Sequence, residues 1–185
     1  MTRVIFPWIG GVALAGCAVF FAEPVRTYVL LGVMLFFPLL DRHWRLPDLP
    51  HQPRHIAAWL GLLFATTILL WWQPHHAKYA LTTLLTAALP EEWFFRAYFL
   101  RRMEETRCQH RWCANIVTTI LFSGLHGLTR GWEVGLSVLV PSLFYGWLYQ
   151  RTRDLPLLVL IHALSNLIFI TFLATPLSAL LHQAI

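Results

Sequence analysis

Read from its N-terminus, the chain alternates long apolar runs with short polar breaks. The first run is Val4 to Ala22 and the second Thr27 to Leu40. Asp41 to His55 is polar and holds Pro47, Pro50 and Pro53, so it is expected to be a loop. Ile56 to Trp72 is a third run, ended by Gln73-Pro74-His75-His76. Tyr79 to about Arg102 is the fourth. After a polar connection, Glu104 to Arg111, come Trp112 to about Leu128 and then Glu133 to Gln150. A charged turn, Arg151 to Asp154, leads into Leu155 to about Ala174, and Pro176 to Ile185 is a short apolar tail. A helix crosses a bilayer with about 20 mostly apolar residues. A shorter one suffices where its ends snorkel. The pattern therefore predicts an all-α fold, a polytopic transmembrane bundle of about seven spans (six to eight). No repeat or low-complexity stretch interrupts it, so residues 1–185 are expected to form a single integral-membrane domain.

Composition agrees. The chain is 57% hydrophobic and only 12% charged, against about 25% charged in ordinary soluble domains. The net charge of +5 does not point to nucleic acid, because the arginines are scattered between apolar runs and form no basic face. They fit an orientation signal instead. With the N-terminus cytoplasmic, the inner segments hold ten basic residues, the outer segments hold Arg26, Lys78 and Arg130, and Arg96 stays within the membrane.

Leu14-Ala15-Gly16-Cys17 resembles a lipoprotein cleavage box, but the apolar run continues to Ala22, so a retained first helix is expected. Cys108-Gln109-His110-Arg111-Trp112-Cys113 lacks zinc-knuckle spacing and reads as a loop with ordinary thiols. Trp71, Trp72, Trp112 and Trp132 read as interface anchors. His75, His76 and His182 lie near helix ends and are assigned no role. Gly124 and Gly127 are expected to allow close helix approach.

Ionisable groups inside a span cost about 2.5 to 3.5 kcal/mol each and mark function by default. In the fourth run, Glu92 and Arg96 are four apart and share a helix face, acid before base. Glu91 is rotated about 100° away. Arg96 can thus neutralise Glu92 and leave Glu91 less compensated, and such a carboxylate can act as a general base. Helix rise, at about 1.5 Å per residue, then fixes depth. Glu91 lies eighteen residues before a turn near Gln109 and His126 seventeen after it, at nearly equal height. His162 and Asn166, four apart in the seventh run, lie roughly 12 to 18 Å into the bilayer, close to the depth of Glu91. Groups from three helices can therefore meet in one layer.

Glu91-Glu92-x-x-x-Arg96, Phe122-x-x-x-His126 and His162-x-x-x-Asn166 together resemble the three signature motifs of the CPBP family. That family holds the CAAX prenyl endopeptidases and the bacteriocin-processing and immunity ("Abi") membrane proteins. The resemblance covers residues 91–166; residues 1–80 contribute only hydrophobicity. It implies a glutamate-dependent intramembrane endopeptidase. Glu91 and His126 would activate water, His162 and Asn166 would line the oxyanion site, and Glu92 and Arg96 would hold the helix in register. Phe122 would be a packing residue beneath the site. No cofactor is expected. In a metal-dependent version, zinc would sit on Glu91, His126 and His162, although no H-E-x-x-H is present. An immunity-type or scaffold protein that does not cleave, and a proton-coupled transporter, are the readings from other classes. The expected partners are the lipid bilayer and a membrane-associated substrate: a prenylated CAAX-like protein, a leader peptide or a C-terminal sorting tail. A compact chain without long loops is expected of a bacterial processing enzyme in the cytoplasmic membrane.

Overall fold

The computed structural model describes residues 2–50, 52–106 and 110–174. Cys108, the turn at Gln109, the tail from Pro176 and His182 lie outside the described residues. Every regular element among the described residues is helical.

The first apolar run is α1 (Thr2–Phe20). The second is α2 (Val25–Phe36), which tightens into a 3₁₀ turn over Phe37–Leu40. The third is α3 (Pro53–Trp72). It starts three residues before the sequence pattern suggests. Pro53 opens the helix rather than closing the loop, because a first-turn proline loses no intrahelical hydrogen bond.

The fourth run departs most from expectation. It comprises α4 (Ala77–Thr83), a π-helical stretch Leu84–Ala88, α5 (Leu89–Glu92), a second π-helical stretch Trp93–Leu100, and α6 (Arg101–Thr106). The first widening has a local cause. Pro90 offers no N–H to the carbonyl of Thr86 and its ring would strike that carbonyl in a regular α-helix. The second has no such cause in its own sequence.

The fifth run is α7 (Arg111–Arg130). The sixth is broken into α8 (Trp132–Ser137) and α9 (Leu139–Thr152). Pro141 explains the break, since its ring excludes a regular turn through Ser137, four residues back. The seventh is α10 (Leu155–Ile168), continued by π-helical turns over Phe169–Ala174.

The chain divides into two compact units, Met1–Asp48 with Pro90–Leu155, and Leu49–Leu89 with Pro156–Ile185. In the first unit the core is aromatic: Phe94, Phe95, Tyr98 and Phe99 are fully buried. Phe37 packs on Phe94 and Tyr98, and Trp8 meets Phe99 edge-on at 5.6 Å. Buried polar groups accompany them, including Asp41, Glu92, Arg96, Thr119 and Ser142. Small residues set the spacing of α7 against α8 and α9. A Cβ at Gly135 would stand 2.8 Å from the Ser123 carbonyl oxygen, and one at Gly146 would run into the Asn115 carboxamide. Gly127 approaches closely too, beneath the Trp132 ring. Gly124 does not: nothing lies within 4 Å of where its Cβ would be. It lines an apolar cavity of about 220 Å³ with Gly11, Leu14 and Phe95.

In the second unit, α3 presents Leu60, Phe64, Ile68 and Trp71 outward, the last 88% exposed. Two helical segments among the described residues are long and apolar enough to cross a membrane, Pro53–Trp72 and Leu155–Leu173. Trp72 packs on Phe172, with ring centroids 5.7 Å apart.

Candidate active site

Glu91 and Glu92 close α5, and as neighbours on a helix they point about 100° apart. Both are buried. Their surroundings differ in kind.

Glu92 faces Arg96, with Oε2 3.5 Å from Nε and both side chains fully buried. That distance makes an ion pair rather than a short hydrogen bond. The guanidinium is tied down elsewhere. Its Nη2 donates to the Ser142 hydroxyl at 2.9 Å, and that hydroxyl donates to Thr119 Oγ1 at 3.2 Å. Arg96 Cζ also lies 4.9 Å from the centre of the Phe122 ring, within cation–π range. Residues of α5, α7 and α9 thus meet on one buried cation.

Glu91 faces α7. Its Oε1 is 4.0 Å from His126 Nε2. His126 Nδ1 lies 3.1 Å from the Phe122 carbonyl oxygen. A carbonyl only accepts, so Nδ1 carries the hydrogen. In the neutral ring, Nε2 then presents a lone pair toward Glu91. Phe122 meets the imidazole directly, with centroids 4.3 Å apart, and Phe95 abuts the Phe122 ring edge-on at 5.0 Å. One phenyl ring therefore touches both Arg96 and His126.

The sequence-nominated groups Glu91, Glu92, Arg96, Phe122 and His126 thus come together within the first unit. A family model described as "Type II CAAX prenyl endopeptidase Rce1-like" matches residues 72–168, which is 97 of the 185 residues and contains every motif position. The chain belongs to this family. Membership in the Rce1-like family makes the chain a membrane-integral protein of a peptidase family, one whose substrates are membrane-associated proteins or peptides. It also gives the apolar exterior of α3 a solvent, since a soluble protein seldom exposes so large an apolar face. No match is found among curated proteins or among solved structures.

His162 and Asn166, the third of the motifs read from the sequence, stand one turn apart on α10 in the second unit, the first buried and the second half-buried. Sequence reasoning missed Ser142 and Thr119. No charge marks them, and Ser142 follows Pro141 where the helix phase is reset. Cys17 and Cys113 are free thiols. Among the described residues, no group of three or more His, Cys, Asp or Glu side chains lies together so as to hold a metal ion.

Proposed function

We propose that this protein is a glutamic-type intramembrane endopeptidase, cleaving a peptide bond near the terminus of a membrane-associated protein or peptide. The observation that carries the reading is the buried Glu91–His126 pair at 4.0 Å. That separation is too long for a direct hydrogen bond and suits one bridging water. Both facing atoms are acceptors in the neutral-imidazole state, so a water between them donates one hydrogen to each. Its own lone pair is then left to attack.

In the proposed step, Glu91 takes a proton from this water while the oxygen bonds to the substrate carbonyl carbon. The carbonyl oxygen becomes an oxyanion that receives hydrogen bonds from His162 and from the Asn166 carboxamide. The proton on Glu91 passes to the leaving amine as the C–N bond breaks. Atoms and charge balance without a cofactor. Glu92 and Arg96 position the helix, and Phe122 packs beneath the imidazole. We propose this chemistry as metal-free, in a single integral-membrane domain with a cytoplasmic N-terminus and about seven spans. The short connections between helices favour a processing enzyme of a bacterial cytoplasmic membrane. Its substrates would be prenylated CAAX-like tails, leader peptides or C-terminal sorting tails.

The test compares membranes carrying the wild-type chain with membranes carrying Glu91→Gln, using mass spectrometry of protein termini. One shifted terminus is expected in the wild type, in the presence of a strong chelator as well, and none in the variant. A variant that processes like the wild type would remove Glu91 from the role of base. Loss of processing with chelator alone would bring back the zinc mechanism.

A further inference from the structure

The π-helical stretch Trp93–Leu100 lies directly after the two glutamates and contains Arg96. Its bonds run i→i+5, a rarer and more weakly bonded arrangement than the α-helix. Nothing in its own sequence demands it, so a contact from elsewhere has to hold it. Asp41 and Trp44, from the polar loop after the second apolar run, supply that contact.

Asp41 is 4% exposed and Arg102 3%. The Arg102 Nε donates to Asp41 Oδ2 at 2.9 Å, and the Tyr98 hydroxyl to the same oxygen at 3.4 Å. The loop's own backbone steadies the carboxylate, with His43 N–H donating to Oδ1 at 3.0 Å. Trp44 Nε1 donates to the Ala97 carbonyl at 2.9 Å, inside the π-helical stretch. The Trp44 ring meets Trp93 and Tyr98 edge-on, at 5.0 and 5.6 Å.

The spacing of the touched side chains is the decisive point. Trp93, Tyr98 and Arg102 are five and then four residues apart, nine in all. In a regular α-helix of 3.6 residues per turn, nine residues make about 2.5 turns, so Trp93 and Arg102 would point in opposite directions. Through the π-helical stretch, at about 4.4 residues per turn, they come to within roughly 50° of each other. One short loop can touch all three only in the π register.

We propose that Asp41 and Trp44 are positioning residues: they clamp Trp93–Leu100 in the π register that lets Arg96 reach Ser142 and Phe122 on one side while Arg102 reaches Asp41 on the other. Both lie outside the segment that matches the Rce1-like family. The proposal relies on the peptidase reading only for what the register serves.

The test uses the full chain in detergent micelles, with Trp44→Phe, which keeps the ring but loses the N–H, and Asp41→Asn, which keeps the shape but loses the charge. In Trp44→Phe, hydrogen exchange of the Phe94–Arg102 amides should accelerate two- to tenfold, about the worth of one hydrogen bond, while the melting temperature barely moves. In Asp41→Asn, exchange should accelerate at least as much and the melting temperature should fall, with Arg102 keeping Glu105, at 2.8 Å, as its remaining counter-charge. On a farnesylated peptide with a CAAX-type end, kcat should fall by a similar factor with KM unchanged. Unchanged exchange in both variants overturns the clamp. Faster exchange with unchanged kcat overturns the positioning role. A wild-type chain that leaves this peptide intact counts against a prenylated substrate, one that also shifts no terminus in membranes counts against the peptidase reading, and in either case the exchange result still decides the clamp.

Discussion

Arg96 is wholly buried, and the way it is held decides what is left for Glu91 to do. Its counter-charge comes from Glu92 and its hydrogen bonds from Ser142. Removing one partner of a buried ion pair strands the other charge, at about 3 to 5 kcal/mol. Glu92→Gln should therefore lower unfolding stability in detergent by about 3 kcal/mol. A Glu92→Gln chain as stable as the wild type would show that Arg96 is compensated elsewhere. Asn166→Ala should do the reverse, keeping the fold and losing roughly 10²- to 10³-fold in turnover, as expected for one oxyanion donor. Near-normal kcat in that variant would take Asn166 out of the mechanism. The Glu92–Arg96 pairing was legible from spacing alone, because four residues return to the same helix face in α and π geometry alike. Ser142 was not legible, since a serine in an apolar run carries no sign of which neighbour it meets.

At the scale of elements, glycine spacing separates two positions that look equivalent in the sequence. Gly124 and Gly127 both flank His126, and both suggest close helix approach. Only Gly127 faces a packed ring, and the tightest backbone approach to α7 comes from Gly135, on α8. Gly135→Ala should destabilise the protein by about 1 to 3 kcal/mol through overpacking. Gly124→Ala should stay within about 0.5 kcal/mol, as it points into open space. Thermal unfolding of the two variants side by side checks the contrast, and equal shifts would refute it. The broken sixth run has the same lesson. Its apolar pattern reads as one span, yet Pro141 splits it, and the proline was visible all along. The π-helical turns were not visible, because apolar runs this dense show no period from which a wider turn could be told.

For the whole molecule, the distribution of arginines is the feature on which the proposed orientation rests. By the positive-inside rule, ten basic residues against three would put the loop around Asp48 in the cytoplasm and the break at His75 outside. A reporter active only in the cytoplasm should work when inserted after Asp48 and fail after His75, and an outside-specific reporter should show the opposite. The same result at both sites would contradict the proposed orientation. Sequence alone determined that the chain is helical, where its apolar runs lie, and that a Glu-Glu-x-x-x-Arg motif precedes an isolated histidine at matching depth. These follow from composition and helix rise, which are local. Only the tertiary structure decided that Ser142 holds the buried guanidinium, and that a loop outside the family segment meets the motif helix where it runs in a wider register. Such choices depend on contacts between residues 46 to 61 positions apart in the chain, where no local preference acts and the packing of neighbouring helices settles the outcome.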